Sequence, residues 1–181
     1  MQKMPEVKKT ILTALCVALS IVLPLAFHSI PNAGSIFLPM HIPVLLCGLV
    51  CGPAHGLICG AAGPLLSGLF TGMPPAPLLP GMTVELAVYG LLTGFFMRVV
   101  RTRKLYADLY VSLVPSMLAG RVISGVAKAW LFAPGAYSMA AWAAASFVTA
   151  LPGLVIQLLL LPAVVLALES AGLIPKRYPA P

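Results

Sequence analysis

Carboxylates are scarce in this chain. Among 181 residues only Glu6, Glu85, Asp108 and Glu169 are acidic, and they are scattered. Metal-assisted lipid or isoprenoid chemistry needs clustered carboxylates. Glu85 is expected near one membrane face and the other three near the opposite face, so no pair can share a metal. An enzyme is therefore disfavoured, with no catalytic residue, metal site or cofactor expected. Cysteine is sparse too. Cys16, Cys47, Cys51 and Cys59 contain no C-x-x-C pair, which removes the spacing a zinc or redox motif requires. They lie in apolar runs and read as small packing residues. The chain lacks a G-x-x-x-x-G-K-[ST] phosphate loop, so it cannot draw on ATP itself. Charge of either sign is rare: 8% of residues, against about 25% in a soluble domain.

What fills the chain is apolar. Hydrophobic residues make up 60% of it, with a mean hydropathy of +1.03. A spanning helix needs roughly 20 apolar residues, so residues 1–181 read as one integral-membrane domain. The expected fold is all-α, a polytopic bundle of about six transmembrane helices.

The cations that remain are sorted. Lys3, Lys8 and Lys9 precede the first apolar run, Arg98, Arg101, Arg103 and Lys104 form a middle loop, and Lys176 and Arg177 close the chain. Cytoplasmic loops retain Lys and Arg more readily than translocated ones. Both termini and the middle loop are thus expected in the cytoplasm. The net charge of +7 follows from that bias rather than from nucleic-acid binding, and the basic groups can also meet anionic lipid head groups. No small-residue cleavage pattern follows Pro24, so the first run reads as a retained helix, not a cleaved signal.

The expected spans are 10–27, 41–51, 56–70, 81–99, 106–132 and 139–169. The span 41–51 is too short to cross alone. The uncharged segment 28–40 is read as a long external loop. Gly52-Pro53 makes a tight turn, and Gly56, Gly60 and Gly63 give the third helix a smooth face. Segment 71–80, with Pro74, Pro75, Pro77 and Pro80, is expected to be stiff and extended. Pro152 and Pro162 should kink a single last helix.

Three ionisable residues fall inside spans: Glu85, Arg121 and Lys128. Each costs roughly 2.5–3.5 kcal/mol at the centre of a spanning helix and marks function by default. Arg121 lies roughly 22 Å along its helix from the cytoplasmic start, and Glu85 about one turn below the external surface, so all three belong to the outer half. Ser124 completes a stripe from Arg121 to Lys128, and Tyr89 follows Glu85 on one face. A plain ion pair is one reading. Two cations against one anion favour another, a pocket for an anionic ligand, since an unpaired buried charge is costly. Lys128 can instead snorkel to the interface. Asn32, in the first external loop, and Gln157 are further candidate ligand contacts, although Gln157 can also serve as a helix bridge. Trp130, Tyr137 and Trp142 read as an interfacial belt or as flanks of an organic ligand. His28 and His41 flank the first loop. The string Met40-His41-Ile42-Pro43 is similar to the start of nickel and cobalt uptake proteins, but there the metal needs a free amino terminus, and here the string is internal. Ala14 and Ala18, one turn after Thr10, offer a small face on which another helix can pack closely.

The stretch from Leu38 to Gly94 carries a resemblance. Pro43 opening the second helix, Gly52-Pro53 with Gly56 and Gly60, the run Pro64-Leu65-Leu66-Ser67, and Glu85-Leu86 opening the fourth helix together resemble the S components of energy-coupling factor (ECF) vitamin transporters. Size and six spans extend the likeness over the whole chain. The resemblance implies capture of a vitamin-like molecule from outside, in an outer-half site lined by helices 4 to 6 and covered by a lid that includes Pro31, Asn32 and Gly34. It also implies docking of a transmembrane coupling subunit on Ala14 and Ala18, two ATPase subunits as further partners, and residence in a prokaryotic plasma membrane. A small anion such as pantothenate suits the outer-half charges best and thiamine, a cation, suits them poorly, while a neutral vitamin or nucleobase stays open if Glu85 cancels one cation. The competing reading is a self-sufficient secondary carrier or channel, although no repeated halves with matching broken helices are evident.

Overall fold

The computed structural model describes residues 4–27, 29–129 and 138–178. Its elements are all helical: α1 (Glu6–Ala26), α2 (Ala33–Phe37), α3 (His41–Cys51), α4 (Pro53–Thr71), α5 (Leu79–Val99), α6 (Leu105–Ala127), α7 (Met139–Ala143), a π-helical stretch (Ala144–Thr149) and α8 (Leu151–Ser170). Six segments are long and apolar enough to cross a bilayer, with α2 and α3 together forming one of them. The expected all-α, six-span architecture is what the chain adopts.

Three local expectations change. Segment 28–40 is not wholly a loop, because α2 forms within it. Leu38 ends α2 at φ 51°, ψ 47°. It precedes Pro39, and the residue before proline is disfavoured in the right-handed helical region. The break leaves α3 only 11 residues long, and α2 supplies the missing length. Next, 139–169 is not one kinked helix. It divides into α7, the π-helical stretch and α8, with Pro152 in the first turn of α8. Pro152 has no N–H to offer the preceding turn, which suits it to a helix start and not to an interior. Finally, segment 71–80 is not extended throughout: Leu78 N and Leu79 N both donate to the Pro75 carbonyl, folding a turn directly onto α5.

α5 is the hub, packed against α3, α4 and α6. The approach to α4 is close enough that a Cβ on either Gly56 or Gly90 would collide with the other's backbone. Gly52 sits at φ 97°, a conformation that side chains resist, and so permits the abrupt α3–α4 turn. Buried Leu45, Leu109, Leu113 and Leu161 form one core cluster. Cys16, Cys47, Cys51 and Cys59 help form another, as small packing residues. Outward faces carry exposed Leu69, Phe70 and Val148, an apolar coat that suits lipid rather than water. α1 packs on α3 and α4 through Thr13, Cys16 and Ser20, and Ala14 and Ala18 remain exposed.

The basic groups gather at one end. Met4, Gly52, Arg98, Arg101, Glu169 and Lys176 line a common cavity there, so the N-terminal side of α1, the α3–α4 turn, the α5–α6 loop and the C-terminal tail share that end. The tail is clasped to the loop by Asp108, which is fully buried. Its Oδ1 accepts from Thr102 N at 2.8 Å and Thr102 Oγ1 at 2.7 Å. Its Oδ2 accepts from Arg177 Nε at 2.5 Å and Tyr178 Oη at 2.6 Å.

Candidate functional site

At the other end of the bundle, four helices bring polar groups into the apolar interior. Glu85 comes from the second turn of α5, Arg121 and Ser124 from the last third of α6, His41 from the start of α3, and Gln157 from the second turn of α8. Glu85 is the centre. Its Oε2 accepts from Ser124 Oγ at 3.1 Å. Its Oε1 lies 3.6 Å from His41 Nε2 and 4.0 Å from Arg121 Nη1. Arg121 Nη1 donates instead to the Ser146 carbonyl at 2.5 Å. Ser146 belongs to the π-helical stretch, where backbone carbonyls are out of α-helical register and open to side-chain donors; such bulges often occur at functional sites.

His41 is tied to the lid segment as well. Its N–H donates to the Leu38 carbonyl at 3.0 Å, and Gln157 Nε2 donates to the same carbonyl at 3.4 Å. A Cβ on Gly153 of α8 would collide with the backbone of Ile36 and Phe37, so α2 lies directly on α8. Tyr89 is fully buried, with its ring 5.5 Å from that of His41. It passes over Gly120, where any side chain would displace it. Trp142 packs its ring against Gly125.

Several enclosed polar atoms of this cluster have no hydrogen-bond partner among the described residues: His41 Nδ1, Tyr89 Oη, Arg121 Nε and Nη2, Trp142 Nε1 and Gln157 Oε1. Buried polar groups are satisfied in the great majority of cases. So many orphans around one ion pair set this cluster apart from the rest of the apolar interior. They include donors suited to an anion and one amide oxygen suited to a hydroxyl or N–H.

The sequence-derived candidates divide. Glu85, Tyr89, Arg121, Ser124 and Gln157 are brought together. Lys128 is half-buried, with its stem lying across Gly81, one turn before Glu85. Asn32 is exposed at φ 59° at the start of α2, with its carbonyl accepting from Ser35 N and Ile36 N; it does not join the cluster. Trp142 holds its indole nitrogen in an enclosed position with no partner among the described residues. Trp130, Tyr137 and His28 lie outside the described residues. His41 was not foreseen as a site residue. The one signal for it was its place at the head of α3, two residues before Pro43, and its partner Glu85 is remote in sequence.

A family model described as "ECF transporter, substrate-specific component" matches residues 8–165. The chain belongs to this family. No curated protein and no solved structure gives a significant match. As a substrate-specific component, the chain is a multi-pass membrane protein that binds a solute for a transporter. Membership also sets aside the self-sufficient carrier, because a substrate-specific component is by definition one part of a larger machine.

Proposed function

We propose that the cluster around Glu85 and Arg121 is the solute site, and that the solute is a small vitamin-like molecule bearing a carboxylate. The observation that carries this reading is the Arg121 guanidinium, 4% exposed, with Nε and Nη2 unpartnered. Those two nitrogens form the fork that receives a carboxylate in bidentate fashion. Glu85 cancels one positive charge, so the site suits one further anionic group. Gln157 Oε1 and Tyr89 Oη can meet hydroxyl or amide groups on the same molecule. Pantothenate, with one carboxylate, two hydroxyls and an amide, carries a group for each of these contacts. α2 and the break at Leu38 act as the cover, with Asn32 at its outer edge and Lys128 guarding the rim.

In this reading the basic end faces the cytoplasm of a prokaryotic cell and the solute site faces outward. The exposed Ala14 and Ala18 face docks a transmembrane coupling subunit, which two ATPase subunits drive. Mass spectrometry of small molecules retained by the purified protein tests the solute. Retention of pantothenate or a comparable carboxylate, displaced by excess pantothenate but not by thiamine, supports it. Retention of a cation alone sinks it.

A further inference from the structure

A separate cavity, of about 530 Å³, lies at the basic end, far from the solute site. Its rim is cationic. Lys9, Arg98, Arg101, Lys176 and Arg177 line it, against the carboxylates Glu6 and Glu169. Several of these charges are already committed: Lys9 pairs with Glu6 at 2.5 Å, Arg177 with Asp108 at 2.5 Å, and Glu169 accepts from Arg177 N at 2.9 Å. Arg98, Arg101 and Lys176 have no carboxylate partner among the described residues. The floor is apolar, made by Leu49 and Val50 of α3, Met97 of α5 and Val165 of α8. Both α1 and α8 flank α3, and the cavity lies between them over the α3 end, bounded by two helices that themselves span a membrane. An ionic rim above an apolar floor, at the end of a spanning bundle, is complementary to an amphiphile.

We propose that this cavity binds an anionic phospholipid, its phosphate held by Arg98, Arg101 and Lys176 and its upper acyl segment laid against Leu49, Val50 and Val165. The shared chemistry is a phosphate ester. A soluble phosphate ester would use the rim but not the floor, and the lipid is favoured because the floor is apolar and bordered by membrane-facing helices. Each basic side chain near an anionic surface contributes about fivefold in affinity.

Native mass spectrometry of the detergent-purified protein, titrated with phosphatidylglycerol, phosphatidylcholine or glycerol 3-phosphate, tests the proposal. Phosphatidylglycerol should bind at least tenfold more tightly than phosphatidylcholine. Arg98→Gln with Arg101→Gln should weaken phosphatidylglycerol by about tenfold or more. Arg103→Gln with Lys104→Gln, which removes equal charge outside the cavity, should leave it within about twofold. A melting curve of each variant without added lipid separates lost binding from lost folding. If the first double variant fails to fold, Lys176→Gln alone should still weaken binding several-fold. Equal binding of the two lipids, or equal loss in both double variants, overturns the proposal. Glycerol 3-phosphate binding as tightly as phosphatidylglycerol overturns the lipid assignment in favour of a soluble phosphate ester.

Discussion

Arg121 stops short of Glu85: its Nη1 lies 4.0 Å from Oε1 and turns to the Ser146 carbonyl instead. A guanidinium that fully engaged the carboxylate would have little left for a visitor. This one keeps two nitrogens uncommitted inside the bundle, while Ser124 and His41 hold Glu85 from other sides.

Arg121→Ala should therefore weaken solute binding by about 30-fold, the lower end of what truncating a buried charged contact costs. Thermal stability should change far less. Arg121→Lys should recover only part of the loss, because an ammonium cannot reproduce the fork. Titration calorimetry on the retained solute checks both, and unchanged affinity in the Ala variant would remove Arg121 from the site.

Ala14 and Ala18 are exposed on the helix whose apolar window is least buried, 17% against 28–61% for the other spans. Replacing both with Trp should block uptake into cells while leaving binding by the isolated protein intact. Normal uptake would show that this face is ordinary lipid-facing surface.

The Gly56–Gly90 approach predicts a sharp steric effect. Gly90→Ala would drive a methyl into the α4 backbone, and overpacking of this kind costs about 1–3 kcal/mol. Gly34→Ala, where nothing lies within 4 Å of the added carbon, is the control and should leave the melting temperature unchanged or slightly raised. Equal melting of the two variants would contradict the close packing.

Asp108→Ala strips the acceptor from Thr102, Arg177 and Tyr178 together. Loss of one partner of a buried pair costs about 3 kcal/mol. Trypsin should then cut after Lys176 or Arg177 several times faster than in the parent, and unchanged cleavage would mean that the clasp does not hold the tail.

Much of this was legible from residue order, and the remainder has physical reasons for being hidden. The spans follow from apolar length, and the Gly56 face from small residues at helical spacing. Glu85, Arg121, Ser124, Tyr89 and Gln157 stood out because polar groups in hydrocarbon need a reason to be there. α2 escaped notice because AGSIF is five residues, shorter than any periodic pattern can register, and the segment packs on Gly153, remote in sequence. The division of the last helix was hidden by an alanine-rich run that suits an unbroken helix. His41 was missed because its role depends on Glu85, and only the folded α3–α5 contact brings the two together. The positions of the prolines announced bends without saying whether each would kink a helix or start one: Pro64 and Pro162 lie inside helices, and Pro53 and Pro152 open them.

α5 carries Glu85 near one end and Arg98 at the other, about 20 Å apart along the axis. Between them α5 meets α4 backbone to backbone at successive turns, Leu86 on Gly60, Gly90 on Gly56 and Gly94 on Gly52 and Pro53. A seam closed along its length, rather than at one point, resists tilting as well as sliding, because packed interiors transmit strain instead of yielding to it. The carboxylate end and the guanidinium end of α5 therefore keep a fixed spacing.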